Sequence, residues 1–406
     1  MVILLSLLMS IAHASELNCN DIKTFKTFYY CSLERHPKFE IAKLKSKEGD
    51  AIVEKATQWQ NPEFGLKSTT GSNAGETVGA TELEVSFSIS QLWQREEQKQ
   101  IAVADKKIAN IEAKESLLSV QKELIKTLYR LRQIESELDL VAETINTFEM
   151  IKKQYRSRAV RGPEQEITLN LVELASSDYE LKRNHLSTEK SELDSKLKAM
   201  WGPGFVVKKD YLPPLRERWM EVSLVKSMGT GFELQRINAE KEKALAEQRL
   251  ATKESYPSLS FGPNLARNTQ GPSQYYTYGV NLRMSLPLVS LNSGSRLLSA
   301  SKAQQAQLTA DYANNRAQAE KEILIQKYKS SVESLRKTSN QEEIKRKHQK
   351  IDGLFRQGLA SGGLIIEAHR QIVEYTESQH EHENAAIEAY LEIKTLIGEG
   401  IEDIFQ

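Results

Sequence analysis

The chain has 406 residues with 55 basic and 55 acidic side chains, so it carries no net charge that would favour nucleic acid. Charged residues reach 27% while glycine (20) and proline (10) are few, a composition of long exposed helices rather than of one globular core. Gly-rich phosphate loops, nucleophile elbows and metal-hydrolase motifs do not occur, so neither an enzyme nor a cofactor is expected.

Residues 1–14 read as a secretory signal peptide: Val2 to Ile11 is apolar, and Ala12-His13-Ala14 is a small-residue cleavage site. A buried N-terminal segment is the competing reading. Cys19 and Cys31 are the only cysteines; in an oxidising compartment they would close a short loop, and otherwise they are two free thiols. No other stretch reaches the ~20 apolar residues of a membrane-spanning helix. If the chain crosses a membrane, strands must do it.

Lys38 to Trp59 reads as a helix that stops at Asn61-Pro62. A strand is expected over Phe64–Thr70, a loop over Gly71–Gly79 and a second strand over Glu82–Gln91. In the second strand Leu83, Val85, Phe87 and Ile89 alternate with polar residues, a period of two that gives it one apolar and one polar face. Arg95 to Tyr155 contains neither proline nor glycine. There Leu117, Leu124, Leu131, Leu138 and Ile145 recur every seventh position, with Val120, Thr127, Ile134, Val141, Phe148 and Tyr155 offset by three, an a/d heptad seam. A helix of ~60 residues would be ~90 Å long, the wall of a tube or a rod. Arg161-Gly162-Pro163 breaks it. A return helix over Glu164–Met200 carries Val172, Tyr179, Leu186, Leu193 and Met200, so the two helices form an antiparallel hairpin with its tip at 158–164.

An irregular segment from Trp201 to Pro214 joins the halves. A helix over Phe232–Glu254 and strands over Leu259–Leu265 and Tyr275–Leu286 follow, with Val280, Leu282, Met284 and Leu286 on one face. Pro263 predicts a bulge or an early end in the third strand. One long helix is expected over Ser295–Arg356, a tip at 357–363 and a return helix over Leu364–Ile397. The histidines are scattered. His369 and His380 share a helix face but lie three turns apart, too far for one ion, and read as solvated; no metal site is expected.

The second half repeats the first at an offset of about 195 residues. Asn61-Pro62-Glu63-Phe64 corresponds to Tyr256-Pro257-Ser258-Leu259, and His36-Pro37-Lys38-Phe39 to Gly231-Phe232-Glu233-Leu234. The expected organisation is a first repeat over 15–205, a linker over 206–230, a second repeat over 231–397 and a tail over 398–406. Four strands cannot close a barrel, and open edges are not tolerated in hydrocarbon. Two copies would give eight strands filled by their own side chains, whereas three would give twelve and an open lumen. A structural coiled-coil protein without a pore is the alternative.

The duplication, Val280-Asn-Leu-Arg-Met-Ser-Leu-Pro-Leu288 with Gly294 before a helix, and Phe355-Arg-Gln-Gly358 at the second tip together resemble the TolC-like outer membrane factors. Asn61-Pro62-Glu63-Phe64 and the strands that follow resemble more closely their heavy-metal efflux branch. The resemblance implies a mainly α fold with a small β part: duplicated helical hairpins form a periplasmic α-barrel, and four strands per chain contribute to a twelve-stranded trimeric transmembrane β-barrel. It implies a homotrimeric exit duct of a tripartite efflux pump or type I secretion system, located in the outer membrane with a large periplasmic part. The partners it implies are outer membrane lipid, a periplasmic adaptor and, indirectly, an inner membrane pump. Leu83, Val85, Phe87, Ile89, Val280, Leu282, Met284 and Leu286 would face lipid, with Glu84, Ser86, Ser88, Asn281 and Arg283 towards the lumen. Arg158, Ala159, Val160, Arg161, Gly358, Leu359, Ala360 and Ser361 would form the adaptor-docking tips. Glu164, Glu166 and Glu367 would ring the pore entrance and raise one another's pKa by repulsion. The chain departs from the family at Gln94-Arg95-Glu96-Glu97, where a glycine pair is common, at Arg158, where glycine is usual, and at Leu364, where many members carry aspartate.

Overall fold

Heptad and period-two patterns lead directly to the observed elements. The computed structural model describes residues 19, 21–73, 75–89, 91–157, 162–216, 219–220, 231–285, 291–338, 341–357 and 359–401. The expected signal peptide, Leu286 and the tip residues Arg158, Ala159, Val160, Arg161 and Gly358 lie outside them. The order is α1 (Phe25–Arg35), α2 (Pro37–Thr57), β1 (Glu63–Asn73), β2 (Glu76–Ser88), α3 (Gln91–Arg156) and α4 (Pro163–Trp201), then α5 (Phe232–Lys253), β3 (Ser258–Gln270), β4 (Ser273–Ser285), α6 (Ser293–Lys337), α7 (Gln341–Arg356) and α8 (Gly362–Ile397). No described helix is long and apolar enough to cross a membrane.

Two compact units emerge, and each draws on both halves of the sequence. The helical unit comprises Met1–Glu40, Ser116–Gly231 and Ala317–Gln406; the sheet-bearing unit comprises Ile41–Glu115 and Phe232–Arg316.

In the sheet-bearing unit four antiparallel strands lie in the order β1-β2-β3-β4. Pairing runs from Glu63↔Ser86 to Asn73↔Glu76 in the first hairpin, so residues 71–73 and 76–79, expected as loop, are strand. Their glycines mask the alternation, but each still offers a donor and an acceptor to the ladder. β3 continues through Pro263, which pairs with Val280 without ending the strand. Gly262 beside it explains how: a Cβ there would lie 1.7 Å from the Val85 carbonyl oxygen. Only glycine permits that close approach of two backbones. Below the sheet, ion pairs tie the helices together, among them Lys45–Glu112 (2.8 Å) and Lys243–Asp105 (2.8 Å).

In the helical unit Ile134, Val141, Ile145 and Phe148 of α3 pack with Val172, Tyr179 and Leu186 of α4, as the heptads predict. Ile365 and Val373 of α8 join the same core. Because α3 meets more than one partner, Ile125 and Leu128, off the predicted seam, are also fully buried. The helix expected over 295–356 is instead two, α6 ending at Lys337 and α7 beginning at Gln341. The Thr338 hydroxyl donates to the Leu335 carbonyl at 2.7 Å.

Helix α1 was not expected from its aromatic, β-prone sequence. A Cys19–Cys31 disulfide ties it to the preceding chain, and Phe28 stacks on Trp201, Phe205 and Tyr211 at 4.9–5.6 Å between ring centroids. The Trp201 indole donates to Ser32 Oγ at 2.9 Å, so the irregular joining segment is pinned rather than loose.

Gly262→Val should force β2 and β3 apart and reduce assembled protein at least tenfold, whereas Gly71→Val, with open space around its Cβ, should assemble like wild type. Yield of folded oligomer by size exclusion checks both.

Candidate functional site

Alternation in the strands sets up the first feature, a sheet with two chemically distinct faces. The register places Leu83 beside Leu265 and Tyr278, and Phe87 beside Phe261 and Leu282. Phe64 and Leu66 of β1 extend the same face opposite Val85 and Leu83. These apolar side chains are exposed, Val280 to 78% and Leu282 to 67%. The opposite face carries Glu84, Ser86, Ser88, Asn264, Asn281 and Arg283. There Arg283 pairs with Glu84, and Asn264 donates to Glu82 at 2.8 Å. The structure thus brings together the apolar set read from the sequence as far as β2 and β4 run, with Ile89 just past the end of β2 and Leu286 outside the described residues, and puts the predicted polar set on the other face.

Where strand gives way to helix, the residues that depart from the glycine pair have defined partners. Arg95 donates to the carbonyl of Thr57 at 2.6 Å, at the C-terminus of α2, and its guanidinium lies 4.3 Å from the centroid of the Trp59 ring. Glu97 is buried and receives Arg249 at 2.8 Å and Lys253 at 3.0 Å from α5. Burial pushes its carboxyl up, but these two cations outweigh it and hold the pKa below the ordinary value.

The second feature is the helical-hairpin end. Gly362 sits so tightly against the first hairpin that a Cβ would come within 2.6 Å of Thr168 and 3.3 Å of the Tyr155 hydroxyl. Ser361 caps α8, its Oγ accepting from the Leu364 amide at 3.3 Å. Ala360 packs against the core, while Leu359 is 72% exposed. Of the described tip residues, only Leu359 presents a large apolar group to its surroundings. Glu164 and Glu166 stand exposed in the first turn of α4, where the helix dipole favours negative charge. Glu367 departs from expectation. Arg370 donates to it through two nitrogens at 2.7 and 2.9 Å and Gln371 through one at 2.8 Å. Within one chain these bonds lower its pKa instead of raising it.

The third feature corrects the reading of the histidines. His369 and His380 are buried, because partners on other helices receive them and spacing along one helix could not reveal those partners. His380 Nδ1 lies 2.6 Å from Glu137 Oε1. Arg130 donates to the same oxygen at 2.9 Å and to Glu189 through two further nitrogens at 2.7 and 2.8 Å. Burial raises the Glu137 carboxyl, and the bonds from His380 and Arg130 more than reverse it, so its pKa falls below the ordinary value. His369 meets His348 of α7, with Nε2 atoms 2.8 Å apart, and Asp352 Oδ1 lies 3.6 Å from His369 Nε2. Burial lowers the His369 pKa. Among the described residues His348, Asp352 and His369 form the one group able to hold a metal ion.

Glu137 carries a signed pH prediction. Its folded pKa lies below its unfolded one, so its stabilising contribution is present above the unfolded value near 4.5 and is lost as pH falls through the folded value. Glu137→Gln should therefore cost about 3 kcal/mol at neutral pH and flatten the loss of stability below pH ~4.5. Thermal melts between pH 3 and 7 compare the two proteins.

Neither a protein-family profile nor a curated protein sequence matches the chain. Its fold matches solved structures over nearly the whole length. The outer membrane protein VceC of Vibrio cholerae superposes with a TM-score of 0.72 at 14% identity, covering 93% of this chain and 97% of that one. The CmeC outer membrane channel of Campylobacter jejuni gives 0.71 at 12% identity, covering 92% and 85%. The open state of the MtrE outer membrane channel of Neisseria gonorrhoeae gives 0.69 at 12% identity, covering 95% and 91%. At these identities the likeness establishes the fold.

Proposed function

We propose that this chain is one subunit of a homotrimeric outer membrane channel, a passive exit duct for a tripartite efflux pump or type I secretion system. The exposed apolar face of the sheet carries the reading. An apolar face lined by Phe, Leu, Val and Met suits hydrocarbon, and the polar face suits a water-filled lumen. Tyr276 and Tyr278, exposed on the apolar face near the β3–β4 turn, fit an aromatic girdle. The outer edges of β1 and β4 need strands from other copies, since unpaired backbone groups are not tolerated in lipid. Three copies of four strands give twelve, enough to leave a lumen.

The helices support the same stoichiometric logic. On α4, Val172, Tyr179 and Leu186 face the core. Ile167, Leu171, Leu174 and Leu181 form a second apolar seam on the far side, and it is exposed. A helix with two seams suits a closed wall in which it has a neighbour on each flank.

A periplasmic adaptor would dock at the hairpin ends, with Leu359 as the apolar contact and Arg158 to Arg161 and Gly358 to Ser361 around it. The energy would come from an inner membrane pump. Glu164 and Glu166 would supply the acidic rings of the entrance, with Glu367 largely offset by Arg370.

Purified protein should insert into planar bilayers as discrete conducting pores and fractionate with the outer membrane. Absence of both would leave the pore-less coiled coil. Leu282→Arg, on the lipid side, should cost roughly 2–4 kcal/mol and deplete membrane-inserted oligomer. Asn281→Arg, one residue away on the polar face, should insert normally and alter conductance.

Leu359→Asp should leave oligomer and pore intact and abolish export. Adaptor co-purification from wild-type and variant cells decides between a docking role and a structural one.

A further inference from the structure

The core of the helical unit near the α7–α8 end is otherwise apolar, lined by Phe148, Ile365 and Val373. Into it project two histidines and an aspartate. His348 is 3% and His369 0% exposed, and the Asp352 side chain is 14% exposed. Burying such groups costs free energy unless each is satisfied.

The proton count shows that they are not. His369 Nδ1 donates to the Ile365 carbonyl at 2.9 Å, which leaves Nε2 as a lone pair. His348 must then donate its Nε2 proton across the 2.8 Å contact. Asp352 Oδ1 faces the same point at 3.6 Å from His369 Nε2. It is buried and has no hydrogen-bond partner. Asp352 Oδ2 lies 3.9 Å from His348 Nε2. Three acceptor-capable atoms thus converge on one volume with a single proton among them.

We infer that His348, Asp352 and His369 form a binding site for a divalent transition metal of the zinc class. Ligand atoms around tetrahedral zinc stand about 3.4 Å apart, given Zn–N and Zn–O distances near 2.1 Å. Asp352 Oδ1, 3.6 Å from His369 Nε2, already approximates that spacing, the other carboxylate oxygen stands 3.9 Å from His348 Nε2, and the histidine pair needs to open by about half an ångström. Imidazole and carboxylate select zinc, cobalt or nickel over calcium or magnesium. The outer contacts are in place. The Ile365 carbonyl fixes the His369 tautomer, and Glu143 Oε1 lies 3.6 Å from His348 Nδ1. When the metal takes His348 Nε2, the proton held there moves to Nδ1, facing the Glu143 carboxylate. The ion would clamp α7 to α8 and add a point of rigidity to the hairpin. This site does not depend on the channel reading, since it lies within the helical unit.

The test uses the untagged full chain in detergent, stripped with EDTA and then exposed to zinc or cobalt alone. Elemental analysis after desalting should find about one zinc per chain, the stoichiometry of a three-ligand site. Bound cobalt should show the intense visible bands of four-coordinate geometry. Zinc should raise the unfolding temperature by several degrees. His348→Gln retains an N–H to donate to His369, so it should keep the fold while binding zinc at least tenfold more weakly, as should Asp352→Asn. The inference fails if wild type retains no more zinc than His348→Gln, or if its cobalt spectrum is that of the six-coordinate aquo ion. Because the cobalt spectrum is read on wild type, it decides the matter even if a variant does not assemble.

Discussion

The unpaired edges of a two-faced sheet govern this molecule. β1 and β4 each present a row of backbone donors and acceptors that no strand among the described residues pairs. The apolar residues between them are exposed on one face only, while Glu84, Arg283, Ser86 and Asn264 occupy the other. In water the apolar face is unfavourable, and in lipid the edges are. In the proposed channel, pairing edge to edge with further copies satisfies both at once. Gly262 belongs to this constraint, because it lets β3 run beside β2 past a proline that cannot donate to the ladder.

The helical unit obeys a related rule. A helix in a two-stranded coil needs one apolar seam, whereas a helix in a closed wall needs two. α3 satisfies both of its seams inside the chain: Ile134, Val141 and Phe148 are buried together with Ile125 and Leu128. α4 satisfies one and leaves Ile167, Leu174 and Leu181 exposed. In the proposed channel, that exposed flank of α4 is the one a second copy would cover.

Much of this architecture was legible in the sequence because it rests on periodicity. The heptads of α3 and α4 and the alternation in β2 and β4 each repeat enough times to outweigh local propensity. What escaped depends on partners distant in sequence. Helix α1 has β-prone aromatics, yet its Phe28 stacks with Trp201 and Tyr211. The strand ends at Gly71 and Gly79 lack side chains to alternate. His369 looks solvated when only α8 is considered, and its burial requires His348 and Phe148 from two other helices. Glu367 reads as a bare acid until the turn of helix carrying Arg370 is built in three dimensions. Periodic patterns report the faces of elements, but the chemistry of a buried polar group is written in its long-range contacts.

Those buried polar contacts also answer a question that the heptads leave open. A seam that repeats every seven residues permits helices to slip by seven and still bury apolar surface. Against α3, α8 is held by His380 on Glu137, by Gln133 donating to Glu383 at 2.7 Å, and by Asn384 donating to Gln133 at 2.8 Å. Arg132 also pairs with Glu383. Were α8 displaced by one heptad along α3, His380 would meet Thr144, the residue seven beyond Glu137. Glu383 would lose both Arg132 and Gln133 and remain buried as a lone carboxylate. Leaving a buried charge without its partner costs about 3–5 kcal/mol, more than a slipped seam could recover by repacking equivalent leucines and isoleucines. The apolar repeat therefore supplies the adhesion, and the polar cluster between Arg130 and Glu137 supplies the register.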